Sequence, residues 1–274
     1  MSTTATADGP AAAAPARPRK PKPSPAVIGG LTITAAITVW AGWSIDFTLM
    51  PLFTDVTRGR HVIAEFFNPD WAFLTRAVVI ESWLTTLFIA ILATAVGCAI
   101  GLGMAMLASK TSAPNKATYQ VSKAVLSVLR ALPDVALGSL FAAIVLPGPL
   151  AGILALIVFN IGVIAKLTGE TADAVDPGPI EAVEAGGGNR IQRARWAIYP
   201  QIAPNYLSYC FYVFELNLRA SVVIGIVGGG GIGALISTLL GQFQHERLGA
   251  IIVSLFVVVF VLDQASRAVR RRLT

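Results

Sequence analysis

Three polar residues stand inside a long apolar run of this chain, in the stretch FELNLR. Glu215 and Arg219 are one helical turn apart, so on a helix they share a face and can form an ion pair. Ionisable groups are costly within an apolar span and usually face a bundle interior or a water-filled path. We therefore predict that Glu215, Asn217 and Arg219 line the route of a polar, anionic solute. The alternative is a buried ion pair that fixes helix packing.

The glycine-rich sequence GIVGGGGIG follows this run, at residues 225–233. It contains the pattern GxGxxG, but a dinucleotide site also needs a preceding strand and a following helix in a soluble domain. In a membrane, non-helical backbone is tolerated where protein buries it or where it lines a cavity. Gly228, Gly230 and Gly231 are therefore predicted to form a bend or re-entrant loop near the outer end of the route. A plain flexible turn is the alternative, and whether residues 227–244 dip into the membrane stays open.

A polar, basic segment interrupts the apolar runs at residues 181–204, with the sequence EAVEAGGGNRIQRARWAIYPQIAP. Its small residues would let a short helix seat in a cleft on a partner, and a glycine permits a sharp turn at the helix end. The spacing from Gly187 to Pro200 fits the coupling motif of ABC importer permeases. Departures from that motif occur at Val183, Ala197 and Tyr199. The predicted contact residues are Glu181, Ala182, Glu184, Ala185, Gly187 and Pro200. The alternative is an ordinary basic loop.

Catalytic and nucleotide-binding patterns are absent from the sequence. It contains no GxxxxGK(S/T) phosphate-binding loop, no GxSxG and no HExxH, so a pump built on this chain needs an energy source supplied by a partner. Cys98 and Cys210 lie in apolar runs without Cys/His spacing, which predicts two buried thiols and neither a metal site nor a disulfide framework. His61 and His245 are predicted to be solvated residues of outer loops.

The elements that must position these residues are apolar helices. The 274-residue chain is 55% hydrophobic and 13% charged, whereas soluble domains carry roughly 25% charged residues. Apolar runs of about 18 residues or more are typical of spanning helices. We therefore predict an all-α integral membrane protein with about six transmembrane helices, the third kinked near Pro133. The predicted spans cover residues 26–45, 82–108, 124–146, 150–168, 205–226 and 248–265.

Two helix contacts are predicted within these spans. Gly97 and Gly101 form a small-xxx-small pair that allows close approach of another helix. Arg130 and Asp134 flank the predicted kink and are assigned a structural role, either paired across it or near the interface with Arg130 reaching out. The cytoplasmic excursion is predicted to begin with three charged residues, Lys166, Glu170 and Asp173.

The Lys and Arg residues give the predicted orientation. Most of the 21 lie in alternate loops and in the two tails, and such basic segments stay on the cytoplasmic side. The segments predicted to be cytoplasmic are residues 1–25, 109–123, 169–204 and 269–274. Residues 46–79 form the predicted extracytoplasmic loop, in which an interfacial helix is expected around Trp71. Because the net charge of +6 is spread between spans rather than gathered in a basic domain, no nucleic-acid partner is predicted.

The N-terminal residues 1–25 are predicted to be a disordered tail, because they are rich in proline and poor in hydrophobic residues. The rival interpretation of the apolar run after them is a signal peptide. That run is longer than a usual signal core and lacks a clear small-residue cleavage site. A retained first span is therefore favoured.

The sequence closely resembles the phosphonate ABC transporter permease (PhnE) family over about residues 80–270. The resemblance rests on DPGPIEAVEAGG, FELNLR, VGGGGIG, LRALPD and the stretch 162–166. It implies the type I ABC importer permease fold, with a permease domain at residues 80–268 and a coupling segment at 169–204. It also implies a homodimer in a bacterial inner membrane, surrounded by lipid, with the pathway between the two copies.

The resemblance further implies partners that the chain itself cannot replace. Two cytoplasmic ABC ATPase subunits would hold ATP and Mg, and an extracytoplasmic binding protein would deliver phosphonate- or phosphate-type oxyanions. The chain itself would be neither an enzyme nor a cofactor carrier. Two alternatives remain: an ABC importer for another solute such as methionine, and a secondary transporter or channel. The inverted repeats with paired broken helices that are usual in secondary transporters are not evident.

Overall fold

The computed structural model describes residues 24–54 and 56–271, and it divides into two compact units, residues 1–57 and 58–274. Most of the predicted N-terminal tail therefore lies outside the described residues, as do the last three residues of the predicted basic tail at 269–274. The start of that basic tail is helical instead, because the last helix continues to Arg270.

Helices make up the described chain, and they follow one another with short connections. In chain order they are α1 (Pro25–Ser44), α2 (Met50–Thr54), α3 (Val56–Phe66), α4 (Ala77–Leu107), α5 (Lys116–Ala131), α6 (Asp134–Val145), α7 (Pro149–Asp173), α8 (Pro177–Ala185), α9 (Arg190–Arg193), α10 (Tyr199–Ile224), α11 (Gly231–Gly241) and α12 (His245–Arg270). A 3-10 helix (Trp71–Thr75) precedes α4. Two π-helical turns, Ala194–Ile198 and Gly225–Gly229, flank α10.

The first unit contains the predicted first span. The α1 helix begins after Ser24, whose hydroxyl accepts a hydrogen bond from the Val27 amide, and it has Pro25 at its first position. Both are favoured at a helix start, since a serine oxygen satisfies a free amide and proline has none to lose. With 20 residues, α1 is about 30 Å long, which matches the hydrocarbon core of a bilayer.

Residues 46–79, the predicted extracytoplasmic loop, are largely helical. The helices α2 and α3 and the 3-10 helix occupy most of it, and α4 already begins at Ala77. The end of α3 packs closely on α12, where a Cβ at Gly249 would lie 2.4 Å from the Phe66 carbonyl oxygen. The 3-10 helix lies where an interfacial helix was expected, whereas α2 and α3 were not anticipated, because they are short and because contact with α12 rather than a long apolar run holds the end of α3.

The prediction of about six spans is confirmed. Within the described residues, five helices are long and apolar enough to cross a membrane, and the pair α5 and α6 makes a sixth if it counts as one span. The predicted kink near Pro133 is a full break, because the two helices are bent by 86°. Proline lacks an amide donor and excludes the preceding residue from helical geometry, and Leu132 is accordingly extended, with φ −80° and ψ 126°.

The centre of the second unit is the contact between α4 and α7. A Cβ added at Gly97 would lie 2.5 Å from the Asn160 Cβ, and one at Gly101 would lie 2.8 Å from the Ile164 Cγ2. The buried Asn160 amide donates to the Ala93 carbonyl at 2.9 Å. Close backbone approach and interhelical hydrogen bonds are what hold helices together in lipid. The predicted close approach at Gly97 and Gly101 is therefore confirmed.

Candidate functional site

The α8 helix is short, exposed and capped at both ends. Its first residue is Pro177, and the Asp176 carboxylate caps it by accepting from the Gly178 amide at 3.0 Å. At its end the Gly187 amide donates to the Glu184 carbonyl and the Gly188 amide to the Val183 carbonyl, both at 2.9 Å. These two bonds form a Schellman motif, which needs a left-handed residue between them.

Gly187 is the residue that takes the left-handed conformation, with φ +76°. The run of three glycines left the position of the turn undecided in the sequence, and the structure assigns it. A Cβ at Gly188 would lie 2.4 Å from the Val183 Cγ1, whereas at Gly186 the nearest atoms would be 3.6 Å away. Gly187 and Gly188 are therefore constrained for different reasons, whereas Gly186 is not constrained to be glycine.

The segment between α7 and α10, residues 174–198, is called the excursion here. Side-chain hydrogen bonds close it at two levels, and these links are called straps. At its base, the Asp176 amide donates to the Gln201 Oε1 at 2.9 Å, and the Gln201 amide donates back to the Asp176 carbonyl at 3.3 Å. Further out, Arg193 Nη1 lies 2.5 Å from the Glu184 Oε1. Side-chain hydrogen bonds at two levels hold α8 in a fixed position against the helix that follows it.

The loop between α4 and α5 is latched to the same excursion. The Asp173 carboxylate, at the end of α7, accepts from the Ser109 hydroxyl and the Lys110 amide, both at 2.6 Å. The α9 helix is attached to the same loop, because Arg193 Nη2 donates to the Thr111 carbonyl at 3.2 Å and Arg190 donates to the Pro114 carbonyl. The two predicted cytoplasmic segments thus form one body.

All six predicted contact residues on this excursion and at the start of α10 are exposed: Glu181, Ala182, Glu184, Ala185, Gly187 and Pro200. Beside them, Ile191 is 79% exposed and Trp196 is 65% exposed. These two apolar side chains were not among the predicted contact residues, although an apolar residue in a basic polar segment is a signal of docking that the sequence carries. We name this exposed face of α8, α9 and the π-turn the coupling surface.

Pro200 lies inside the spanning helix, although the sequence predicted that this span begins five residues later, at 205. It is the second residue of α10, which runs unbroken from Tyr199 to Ile224, rather than a residue before a span that begins at 205. The residues before α10, Ala194–Ile198, form a π-helical turn, so the chain is continuously helical from Arg190 through Pro200. The excursion therefore passes directly into the spanning helix.

The predicted ion pair in α10 is present. Arg219 Nη2 contacts the Glu215 Oε1, and the Glu215 side chain is nearly buried whereas that of Arg219 is 56% exposed. A second pair faces the same groove from α12, where Arg267 Nη2 lies 2.5 Å from the Asp263 Oδ2. The groove has a volume of about 450 Å³, and in it each arginine is matched by an acid of its own helix.

Asn217 does not share this groove. It lies on another face of α10, is fully buried, and donates to the Thr94 hydroxyl of α4 at 2.8 Å. Residues two apart on a helix point in nearly opposite directions, so the grouping of Asn217 with Glu215 and Arg219 ignored the helical period. Its contact favours a role in helix packing.

The glycine-rich stretch is a packed bend. The backbone leaves helical geometry at Gly228, with φ +110°, and the Gly228 carbonyl accepts from the Gly148 amide at 2.8 Å. A Cβ at Gly231 would lie 2.5 Å from the Thr86 Oγ1, and this hydroxyl accepts from the Ile232 amide at 2.8 Å. Contacts with the α6–α7 turn and with α4 define the bend, so it is not a plain flexible turn.

Gly230 completes the bend on the side of the α6–α7 turn. It has φ +77°, and a Cβ there would lie 3.0 Å from the Pro149 amide nitrogen. The α11 helix that follows has 11 residues, so it is about 17 Å long and too short to cross a bilayer.

Arg130 and Asp134 do not pair across the break. No ion pair joins them in the described chain, and the Asp134 carboxylate accepts from the Val135 amide at 2.9 Å instead. Arg130 lies beside Lys166 of α7, where both line the same cavities. This pair of cations, 36 positions apart in sequence, was not anticipated.

The predicted solvated histidines both contact one carboxylate. His61 Nδ1 lies 3.4 Å from the Glu65 Oε1, and His245 Nδ1 lies 2.9 Å from the Glu65 Oε2. Among the described residues no cluster of three His, Cys, Asp or Glu side chains could hold a metal ion. Cys98 is buried, Cys210 is half-buried, and both are free thiols.

A family model described as "Binding-protein-dependent transport system inner membrane component" matches residues 97–274. The chain belongs to this family. The permease is accordingly a multi-pass inner-membrane component of a transport system, and the resemblance drawn from its coupling motif and its later stretches is confirmed.

The permease is more than 30% identical, over the aligned residues, to several transport permeases, of which two are described here. It is 36% identical over 188 residues to the phosphate-import permease protein PhnE of Mycolicibacterium smegmatis. The aligned residues make up 69% of this chain and 35% of that protein. The permease is also 33% identical over 195 residues to the phosphite transport system permease protein PtxC of Stutzerimonas stutzeri, which covers 70% of this chain and 71% of that protein.

Solved structures establish the fold of the permease. An inward-facing structure of the MetNI methionine ABC transporter superposes with a TM-score of 0.63 at 22% identity, covering 72% of this chain and 96% of that chain. A bacterial alginate ABC transporter superposes with a TM-score of 0.61 at 14% identity, covering 91% and 97%. The predicted type I ABC importer permease fold is thereby confirmed.

Proposed function

We propose that this permease is the membrane subunit of an ABC importer for phosphate-type oxyanions, meaning phosphonate, phosphate or phosphite. The observation that carries the proposal is the coupling surface, a capped and exposed helix that ends in a glycine turn and is held in place by two straps. An ordinary basic loop would need neither the caps nor the straps. The cargo class is supported by the names of the two relatives, which specify phosphate and phosphite.

The proposed assembly contains two copies of the permease, with the pathway between them. Two cytoplasmic ATPase subunits bind the coupling surfaces, and an extracytoplasmic binding protein delivers the oxyanion. ATP and Mg belong to the ATPase, because this sequence has no phosphate-binding loop. ATP binding closes the ATPase pair and turns the pathway outward through the coupling surfaces, and hydrolysis resets it.

The charge of the latched segments supports the proposed orientation. The excursion and the α4–α5 region carry Lys110, Lys116, Arg190, Arg193 and Arg195, and short basic loops are retained on the cytoplasmic side. On the same rule the basic residues of both tails support a cytoplasmic position for both termini.

Uptake measurements test the proposal. Cells without their own uptake systems for these oxyanions, expressing the permease with its cognate ATPase and binding protein, are expected to accumulate labelled phosphate, phosphite or methylphosphonate. The matched control carries an ATPase without its phosphate-loop lysine and should accumulate none. Accumulation that persists in this control and follows a proton gradient would show a secondary transporter. Accumulation of labelled methionine alone would show an importer of another cargo.

A further inference from the structure

A cavity bounded by α5, α7 and α10 carries two cations and has no role in the proposed coupling. Its volume is about 550 Å³ and its charged lining residues are Arg130 and Lys166. Its other polar lining residues carry hydroxyl groups, namely Ser208, Tyr209 and Tyr212. Among the described residues that line it, none is a carboxylate.

Neither cation is strongly neutralised by a carboxylate. In the described part of the chain no carboxylate lies within 4.0 Å of the Arg130 guanidinium. Lys166 Nζ lies 3.8 Å from the Glu170 Oε1, and these side chains are 43% and 63% exposed. Such an exposed pair interacts weakly because water screens it. The lining of this cavity is therefore positively charged, in contrast to the groove beside Glu215, where each arginine is matched; carboxylates, those of Glu170 and Asp173, line the neighbouring cavity that the two cations also reach.

The structure holds Arg130 in place through its aliphatic stem. A Cβ at Gly162 of α7 would lie 2.9 Å from the Arg130 Cγ, so the stem packs directly on the glycine. Arg130 also lies in the last turn of α5, where the helix dipole favours a cation. The break after Ala131 ends the helix there and leaves the guanidinium at the cavity.

The hydroxyl groups of the cavity differ in their bonding. Tyr209 is engaged by the Thr171 hydroxyl at 2.9 Å. The Ser208 Oγ is buried and makes no hydrogen bond. A buried polar atom without a partner is uncommon and costly, and an oxyanion in the cavity would supply an acceptor for it.

We propose that Arg130, Lys166 and Ser208 form a transient binding site for a phosphate-type oxyanion during passage through the permease. This inference rests on the proposed function, which supplies the cargo class, and it names the residues of this chain that bind the cargo. The Arg130 guanidinium, the Lys166 amine and the Ser208 hydroxyl attract an oxyanion without enclosing it. Conduction needs that balance, because an ion must bind well enough to enter and weakly enough to leave.

The site lies close to the coupling surface. Lys166 precedes Asp173, the latched end of α7, by seven positions on one helix, which is about 10 Å. A displacement of the latched excursion by the ATPase would therefore move Lys166 relative to Arg130 on α5. The release of the oxyanion and the state of the ATPase would be linked through α7.

The experiment measures initial uptake rates of labelled inorganic phosphate by the complete transporter in cells. Arg130→Gln and Lys166→Gln are each expected to lower the rate about tenfold, because a charge-assisted hydrogen bond is lost. Arg130→Lys and Lys166→Arg should recover most of it. The control is Lys116→Gln, an exposed cation on α5 outside both cavities, which should keep the wild-type rate.

A second measurement separates the site from assembly. Stimulation of ATP hydrolysis by the loaded binding protein should persist in Lys166→Gln, since the exposed Lys166 amine holds no helix contact. Unchanged uptake in both Gln variants would overturn the proposed site. So would a loss of uptake that neither charge-conserving variant recovers. If the wild-type transporter takes up none of the three oxyanions, the proposed function fails first, and this result is distinct from either of those.

Discussion

Substitutions at the three consecutive glycines at the end of α8 test whether docking of the ATPase on the coupling surface depends on the backbone conformation of this turn. Only Gly187 has a left-handed φ, at +76°, and a Cβ at this position would meet no atom within 4 Å. The cost of Gly187→Ala is therefore conformational rather than steric. A residue with a Cβ loses about 1–2 kcal/mol in this conformation.

The size of the expected effect follows from that cost. If the ATPase binds the native turn, about 1–2 kcal/mol corresponds to an affinity of the permease for its ATPase about 5- to 30-fold lower. Gly187→Asn should lose less, since asparagine visits the left-handed region with little strain. Gly187→Asp should keep the turn for the same reason but uncouple hydrolysis from uptake, because it places a charge on the docked face.

The two neighbouring glycines provide matched controls. Gly186→Ala should be nearly neutral, because its Cβ would be 3.6 Å from the nearest atoms at an ordinary φ. Gly188→Ala should be as damaging as Gly187→Ala for another reason, since its Cβ would lie 2.4 Å from the Val183 Cγ1. Shortening that neighbour, in Val183→Ala with Gly188→Ala, should restore part of the affinity.

The assay is a titration of purified permease with its ATPase in nanodiscs, together with the ratio of solute transported to ATP hydrolysed. Equal affinities for Gly186→Ala and Gly187→Ala would refute the reasoning, because the left-handed turn would then not matter for docking. Equal damage by Gly187→Asn and Gly187→Ala would refute it too, since bulk rather than conformation would be the cause.

Two further outcomes are expected. Gly97→Ala should lower the melting temperature of the purified permease, because overpacking against Asn160 costs about 1–3 kcal/mol. The control is Gly103→Ala on the same helix, which should not lower it, since no atom lies within 4 Å of a Cβ at this position. Equal melting temperatures for the two variants would contradict the close contact at Gly97. Arg219→Ala should reduce uptake while leaving the amount of assembled complex unchanged if the residue lines the route, and a loss of the assembled complex on a native gel would instead assign it to packing.

The sequence predicted the features that depend on local pattern. Apolar runs located the spans, and the small-xxx-small pair at Gly97 and Gly101 located the contact with α7. The spacing around Gly187 located the turn to within three consecutive glycines, and the four-residue interval between Glu215 and Arg219 gave their ion pair. Each of these signals lies within one continuous stretch of sequence, so no knowledge of distant contacts was needed.

The features that the sequence did not reveal depend on pairing between distant segments. The cavity of Arg130 and Lys166 requires knowing that α5 packs against α7 at Gly162. The 86° angle between α5 and α6 depends on the helices around the break, since Pro133 only permits it. Asn217 was assigned to the route because it stands between two charged residues, and its contact with Thr94 on α4 could not be read from neighbours in sequence.

The strap between Asp176 and Gln201 has a mechanical consequence. It joins the two ends of the excursion at their base, and together with the Glu184–Arg193 pair further out it ties the two halves of the segment to each other at two levels. A push on α8 then cannot be absorbed by splaying the two halves apart, and it reaches α7 and α10 together. The excursion therefore moves as one piece with α7 and α10. Gln201→Ala should leave the ATPase bound but lower the ratio of solute transported to ATP hydrolysed.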